Sequence, residues 1–117
     1  MKLGKLCVDY EPPRYFANFY IAGFTYYEGA DVASTLQVGN RVELYAEPKN
    51  PFDPNAVAIY FGKTKLGYVP SASNNEIFNL LYFGHDVFEA KISQICLDAN
   101  PERQVRVVLN MKDANSS

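Results

Sequence analysis

Along most of this chain apolar and polar residues alternate with the period of a strand, and one stretch breaks to the period of a helix. Arg41 to Glu47 alternates cleanly, with Val42, Leu44 and Ala46 on one face and Arg41, Glu43, Tyr45 and Glu47 on the other. That pattern predicts a half-buried strand. Tyr15 to Phe24 (YFANFYIAGF) is apolar on both faces apart from Asn18, which predicts a central, doubly covered strand bending near Gly23. Ala56 to Phe61, with Val57, Ile59 and Phe61 inward, turns at Gly62-Lys63 into Thr64 to Val69, a hairpin signal. Val105, Val107, Leu109 and Met111 mark a last strand. Val87 to Leu97 slips phase: Phe88, Ala90 and Ile92 share a face that Ile95 and Leu97 do not. One extra residue near Ser93-Gln94, a β-bulge, reconciles them.

The helical exception starts at Ser73-Asn74-Asn75-Glu76, which has the S-x-x-E form of a capping box. Ile77, Leu80 and Leu81 repeat at i, i+3, i+4, and Gly84 stands where a C-terminal cap belongs. A helix near 74–83 is predicted. Pro48 to Pro54 holds three prolines in seven residues and must be a loop. Gly39-Asn40 is a turn, and Ala30 to Leu36 is a loop or one short helical turn. Six strands and one good helix give a mainly β protein, a small and partly open barrel.

At 117 residues the chain is one domain. Residues 1–14 read as an extended lead-in, 15–112 as the barrel and 113–117 as a disordered polar tail. Hydrophobic residues at 48% and charged residues at 21% are ordinary globular values, whereas 15% aromatic residues with no Trp strengthen the β reading. Eleven basic against thirteen acidic residues leave a net charge of −2, which excludes coating duplex nucleic acid by charge alone. A small site for a strand end is still compatible with it. Cys7 and Cys96 show no CxxC spacing, and His85 is the one histidine, so no zinc site and no other metal or cofactor is expected. The cysteines read as buried thiols of a reducing cytoplasm. No signal peptide and no apolar run of membrane-spanning length is present, which predicts a cytoplasmic protein with no membrane partner.

The constellations of catalysis are missing: no GxSxG, no HExxH, no P-loop, and nothing that sets a cysteine beside His85. A non-enzymatic role follows. What stands out is a grouping of aromatics and amides in loops: Tyr26 and Tyr27 after the first strand, Asn50, Phe52, Asp53 and Asn55 in the proline-rich loop, and Tyr68 near the end of the hairpin. If the strands enter one barrel, these loops converge on one rim. Aromatic faces stack on unpaired bases. A carboxylate such as Asp53 repels phosphate but accepts a hydrogen bond from a sugar hydroxyl, and asparagine amides both donate and accept. The same residues also admit plainer roles. Phe52 could plug the barrel, Asp53 could make an Asx turn onto the amide of Asn55, and the tyrosine pair could be one buried and one solvated ring.

Three runs carry a resemblance. They are Ala22-Gly23-Phe24-Thr25-Tyr26-Tyr27-Glu28-Gly29, then Glu47-Pro48-Lys49-Asn50-Pro51-Phe52-Asp53-Pro54-Asn55-Ala56-Val57-Ala58-Ile59-Tyr60, then Leu66-Gly67-Tyr68-Val69-Pro70. In order and spacing they resemble the HIRAN domain family, over roughly residues 15 to 111. The resemblance implies an OB-like or SH3-like small β-barrel of about six strands with one or two helices, in a free-standing bacterial-type member. It implies capture of the free 3′ hydroxyl end of single-stranded DNA, in repair or replication-fork processing, with a helicase or nuclease as protein partner. Matched by position, the stacking aromatics fall on Tyr26 and Phe52, the hydroxyl acceptor on Asp53 and an amide partner on Asn50, with Tyr27 in the same motif.

The chain departs from the family pattern at two cationic positions. DNA-binding members carry Arg before the tyrosine pair, where this chain has Thr25, and a basic residue after the last hairpin strand, where it has Pro70 and Ser71. A charge-assisted contact of that kind is worth about 1.5–3 kcal/mol. Lys49, Lys63 and Lys65 are the nearest substitutes, as point charges rather than guanidinium forks. The alternative reading is therefore a protein–protein interaction module with the same barrel and weak or no DNA binding.

Overall fold

A computed structural model describes residues 14–25, 27 and 32–112. The lead-in before residue 14, Cys7, Tyr26 and the tail 113–117 lie outside the described residues. The elements are β1 (Arg14–Tyr20), β2 (Arg41–Glu47), β3 (Ala56–Phe61), β4 (Thr64–Tyr68), α1 (Asn74–Tyr82), β5 (Phe88–Ile95) and β6 (Val105–Met111). Single 3₁₀ turns cover Ala33–Thr35 and Pro101–Arg103. The first of these settles Ala30 to Leu36, as far as it is described, in favour of a short helical turn.

The strands form one antiparallel sheet in the order β1-β6-β5-β2-β3-β4. It curls into a half-barrel whose two ends meet at a single bridge: Ala22 N–H donates to Tyr68 C=O at 2.8 Å, and Tyr68 N–H to Ala22 C=O at 2.9 Å. Gly67 makes this approach possible. A Cβ there would stand 2.6 Å from Ile21 Cγ2 and still closer to the Ala22 carbonyl oxygen.

The core is the inward face the alternation predicts. Phe19, Ile21, Phe24, Val57, Ile59, Leu66, Ile77, Ile92, Val105, Val107 and Leu109 are all buried. Each fully buried large aliphatic or aromatic side chain contributes about 1.5–3 kcal/mol of transfer free energy. β3 is the strand covered on both faces, buried from Ala56 through Ile59. β1 is not the central strand that its composition predicts. It sits at an end of the strand order and leaves Tyr15 62% exposed. It also ends at Tyr20, so the apolar run continues as a bend through Ile21 and Phe24 into the core rather than as strand. Aromatic residues raised the apolar count, but a tyrosine can lie along a solvated face with its hydroxyl in water.

The predicted bulge in β5 is present: Ile92 pairs with Val107 and Gln94 with Arg106, with Ser93 unpaired between them. α1 ends as predicted. Gly84 N–H donates to Leu81 C=O at 3.0 Å and His85 N–H to Leu80 C=O at 2.9 Å, the paired bonds of a Schellman cap. Its start is different. Ser73 is the N-cap residue but its side chain makes no capping bond. The next residue, Asn74, is buried and reaches across to Asp53 in the loop between β2 and β3 instead. Cys96 is free and exposed, against the expectation of a buried thiol, because β5 ends one residue before it. Among the described residues no helix is long and apolar enough to cross a membrane, and no cluster of three or more metal-ligating side chains occurs.

Candidate functional site

The proline-rich loop between β2 and β3 is built by its own side chains. Asn50 Oδ1 accepts the backbone N–H groups of Phe52 at 2.8 Å and Asp53 at 3.0 Å. Asp53 Oδ1 accepts the N–H of Asn55 at 2.9 Å, the Asx turn weighed above. Two asparagines of α1 then fasten the loop. Asn74 Nδ2 donates to Asp53 Oδ2 at 2.8 Å, and Asn55 Nδ2 donates to Asn75 Oδ1 at 3.2 Å. Both carboxylate oxygens of Asp53 therefore hold one donor each, and each keeps acceptor capacity for another.

Phe52 is thrown outward by this scaffold. Its ring is 94% exposed, which overturns the plug reading. An aromatic ring held in water on a rigid loop forgoes the transfer energy of burial and is available to stack on a partner.

Tyr68 joins the loop to the end of β4. Its hydroxyl donates to Glu47 Oε1 at 2.7 Å and accepts from Lys65 Nζ at 2.6 Å. Asn50 Nδ2 lies 3.1 Å from the same Glu47 oxygen and 3.4 Å from the Tyr68 hydroxyl. Tyr27 packs edge-on against Tyr68, with ring centroids 5.3 Å apart. The Lys65 ammonium lies 4.5 Å from the Tyr68 ring centre and 5.2 Å from that of Tyr27. Its distance to Glu47 Oε2 is 3.2 Å.

Strand register explains why these groups share a face. Directly opposed residues of an antiparallel pair point the same way. Glu47 opposes Ala56 and Tyr68 opposes Ala58, so the two small alanines let both side chains lean over β3. Lys65 and Tyr68 are three apart in sequence and would occupy opposite faces of a regular strand. A bulge prevents that: Ile59 pairs with Gly67 and Tyr60 with Lys65, leaving Leu66 as the extra residue. Leu66 is fully buried in the core, and Lys65 is thereby brought round to the outer face.

The local charges reflect this geometry. Partial burial would push the Glu47 carboxyl up, but hydrogen bonds from Tyr68, Asn50 and Lys65 outweigh it and hold the group below the ordinary carboxylate value. For Lys65 burial again opposes the charged form, and the bonds to Tyr68 and Glu47 raise its value overall. Burial pushes the Tyr68 phenol up, the hydrogen bond from Lys65 opposes it and the Glu47 carboxylate adds to the rise, so the phenol stays neutral.

Of the residues singled out from sequence, Tyr27, Asn50, Phe52, Asp53 and Tyr68 are linked by these contacts at one rim, and Tyr26 lies outside the described residues. Sequence reasoning missed Glu47 and Asn74. Glu47 looked like the polar end of an alternating strand, and Asn74 looked like the second residue of a capping box. Its burial beside a loop acid has no signature in the local pattern.

The HIRAN domain family model matches residues 15–112. No curated protein matches the chain by sequence. A crystal structure of a protein from Lactobacillus plantarum superposes with a TM-score of 0.69 at 20% identity, covering 86% of this chain and 95% of that one. The HIRAN domain of human HLTF superposes with a TM-score of 0.65 at 14% identity, covering 81% of this chain and 73% of that one. At these identities the two structures speak for the fold.

Proposed function

The chain belongs to the HIRAN domain family, known as a DNA-binding fold, and we propose that it is a non-enzymatic module that binds single-stranded DNA at a free 3′ hydroxyl end. The observation that carries this reading is the rim itself, where an outward Phe52, the Tyr27–Tyr68 pair and the fixed Asp53 carboxylate are tied together through Asn50.

The chemistry fits an end better than a continuous backbone. Phe52 offers a face on which any base stacks. Asp53 accepts a hydrogen bond from a terminal hydroxyl, and the same carboxylate repels a terminal phosphate. The half-exposed Glu47 adds negative charge close by, which disfavours a site crossed by many phosphates. Repair and replication-fork processing are where such ends arise, and a helicase or nuclease is the matching kind of protein partner. The net charge of −2 favours the second reading, a protein-interaction module on the same barrel.

Fluorescence anisotropy at low salt with a short 5′-labelled strand tests the first reading. A 3′ hydroxyl strand is expected to bind well ahead of its 3′ phosphate counterpart. Equal binding of the two removes the assignment of Asp53 as the hydroxyl acceptor, and absence of both moves the function to protein partners.

A further inference from the structure

Among the described residues, a lysine is set directly against the aromatic pair of the rim and within ion-pair distance of a carboxylate. Thr25, Pro70 and Ser71, which flank the rim in sequence, carry no charge. Lys65 does, and the bulge at Leu66 brings its ammonium over the Tyr68 and Tyr27 rings. From this geometry we propose that Lys65 is the phosphate contact for the last internucleotide linkage of a bound strand, and that Glu47 is the stand-in anion that holds it when no strand is present. The proposal rests on the reading of the rim as a strand-end site.

A charge-assisted N–H···O bond normally spans about 2.7–2.9 Å. Lys65 to Tyr68 is shorter than that, at 2.6 Å, whereas Lys65 to Glu47 Oε2 is longer, at 3.2 Å. The phenol is the nearer of these two partners, and the carboxylate lies at ordinary ion-pair distance. Glu47 divides its partners by oxygen: Oε1 takes Tyr68 and Asn50, and Oε2 faces Lys65. A phosphate oxygen that replaces Oε2 on the ammonium leaves the Oε1 bonds in place. The ring stack keeps its geometry while the ion pair changes partner. Lys65 is kept protonated by the same surroundings, so the cation is present at any physiological pH.

Glu47 is then a brake on affinity, because a phosphate must displace it and lie beside it. Glu47→Gln is the natural probe. A glutamine can keep its carbonyl oxygen at the Oε1 position for Tyr68 and Asn50, while its amide cannot accept from Lys65. The variant should bind a strand more tightly than the wild type, by about fivefold to tenfold at low salt.

The deciding experiment uses the full chain, anisotropy, and two labelled strands: an ordinary one, and one whose last linkage is an uncharged methylphosphonate. The wild type is expected to lose about tenfold in affinity on the neutral linkage, and Lys65→Met about tenfold on the ordinary strand. Lys65→Met should then be indifferent to the neutral linkage, giving a coupled cycle rather than two losses that multiply. The salt slope for the ordinary strand should fall by about 0.7 in Lys65→Met and be unchanged in Lys65→Arg. Independent, multiplying losses overturn the proposal, and so does a folded Glu47→Gln that binds no more tightly. A wild type that binds hydroxyl and phosphate ends equally but shows the coupled cycle removes the hydroxyl reading and leaves Lys65 standing. If neither wild type nor Glu47→Gln binds any strand, both fall.

Discussion

The side-chain amide of Asn74 donates to the carboxylate of Asp53 across 2.8 Å, and it does so from a buried position at the first residue of α1. A buried polar side chain is costly unless satisfied, and here its satisfaction joins the helix to the loop that carries Phe52. Asn74→Ala should cost about 1–3 kcal/mol of stability, as expected when a buried hydrogen-bond partner is lost. The Asp53 carboxylate should also become less well fixed. Urea unfolding reads the first effect, and the ratio of affinities for hydroxyl and phosphate ends reads the second. A variant as stable and as selective as the wild type would show that the contact is incidental.

Phe52 separates binding from stability. Its ring is almost entirely in water, so Phe52→Ala should move stability by no more than about 0.5 kcal/mol, the usual range for an exposed position. Loss of a base-stacking ring should lower affinity for a single strand by about 1–3 kcal/mol. A melting curve and a titration on one preparation test both halves. A large drop in melting temperature would mean that the loop is less self-sufficient than its Asn50 and Asp53 hydrogen bonds indicate.

Gly67 gives the sharpest expected loss of stability. A methyl group there meets Ile21 and the Ala22 carbonyl, in a backbone conformation with φ of 151°. Gly67→Ala must push β4 away from the Ala22 bridge, at a cost of about 2–4 kcal/mol, in the range of overpacked and strained sites. Denaturant unfolding measures it. The neighbouring control, Gly62→Ala, has open space around the added methyl and only backbone strain to meet, so it should lose less.

Glu47 predicts an acid limb in stability. Its carboxyl lies below the ordinary value in the folded protein, so its contribution is complete above the unfolded-state value and disappears as pH falls through the lowered folded value. The group is partly exposed, so the effect is small, about 0–1 kcal/mol. Melting temperatures of wild type and Glu47→Gln should differ at neutral pH and converge as pH falls through the lowered folded value. A gap that stays constant down to acid would assign the difference to packing instead.

How far the sequence reads correctly depends on the range of the interaction. The half-buried β2, the bulge at Ser93 and the glycine end of α1 are local, set by period and by turn chemistry, and the structure has them where the pattern predicts. Tyr15 to Phe24 misleads because composition cannot say whether a tyrosine lies inside or along a wet face. Lys65 was legible as a nearby cation but not as a member of the rim. Alternation sets it opposite Tyr68, and the slip at Leu66 depends on pairing with β3 rather than on any residue of β4 alone. Asn74 fails for a related reason, since Ser73 and Glu76 spell a cap that the loop acid pre-empts.

The strand order also dictates how the molecule comes together. The pairs β2–β3, β3–β4 and β5–β6 are neighbours in the chain as well as in the sheet, whereas β1 must find β6 at the far end of the sequence, and β2 meets β5 through only two residue pairs, Arg41–Lys91 and Val42–Ala90. Short loops close before long ones because their entropy cost is lower. The β2–β3–β4 meander with its helix should therefore acquire protection from hydrogen exchange first, and the β1–β6 pairing last. Asn50, Phe52, Asp53, Lys65, Tyr68 and Asn74 all belong to the early unit, and Tyr27 arrives with the late one. An immature chain, paused before β1 docks, would already display most of the rim but lack the Ala22 bridge that gives Tyr68 its second ring.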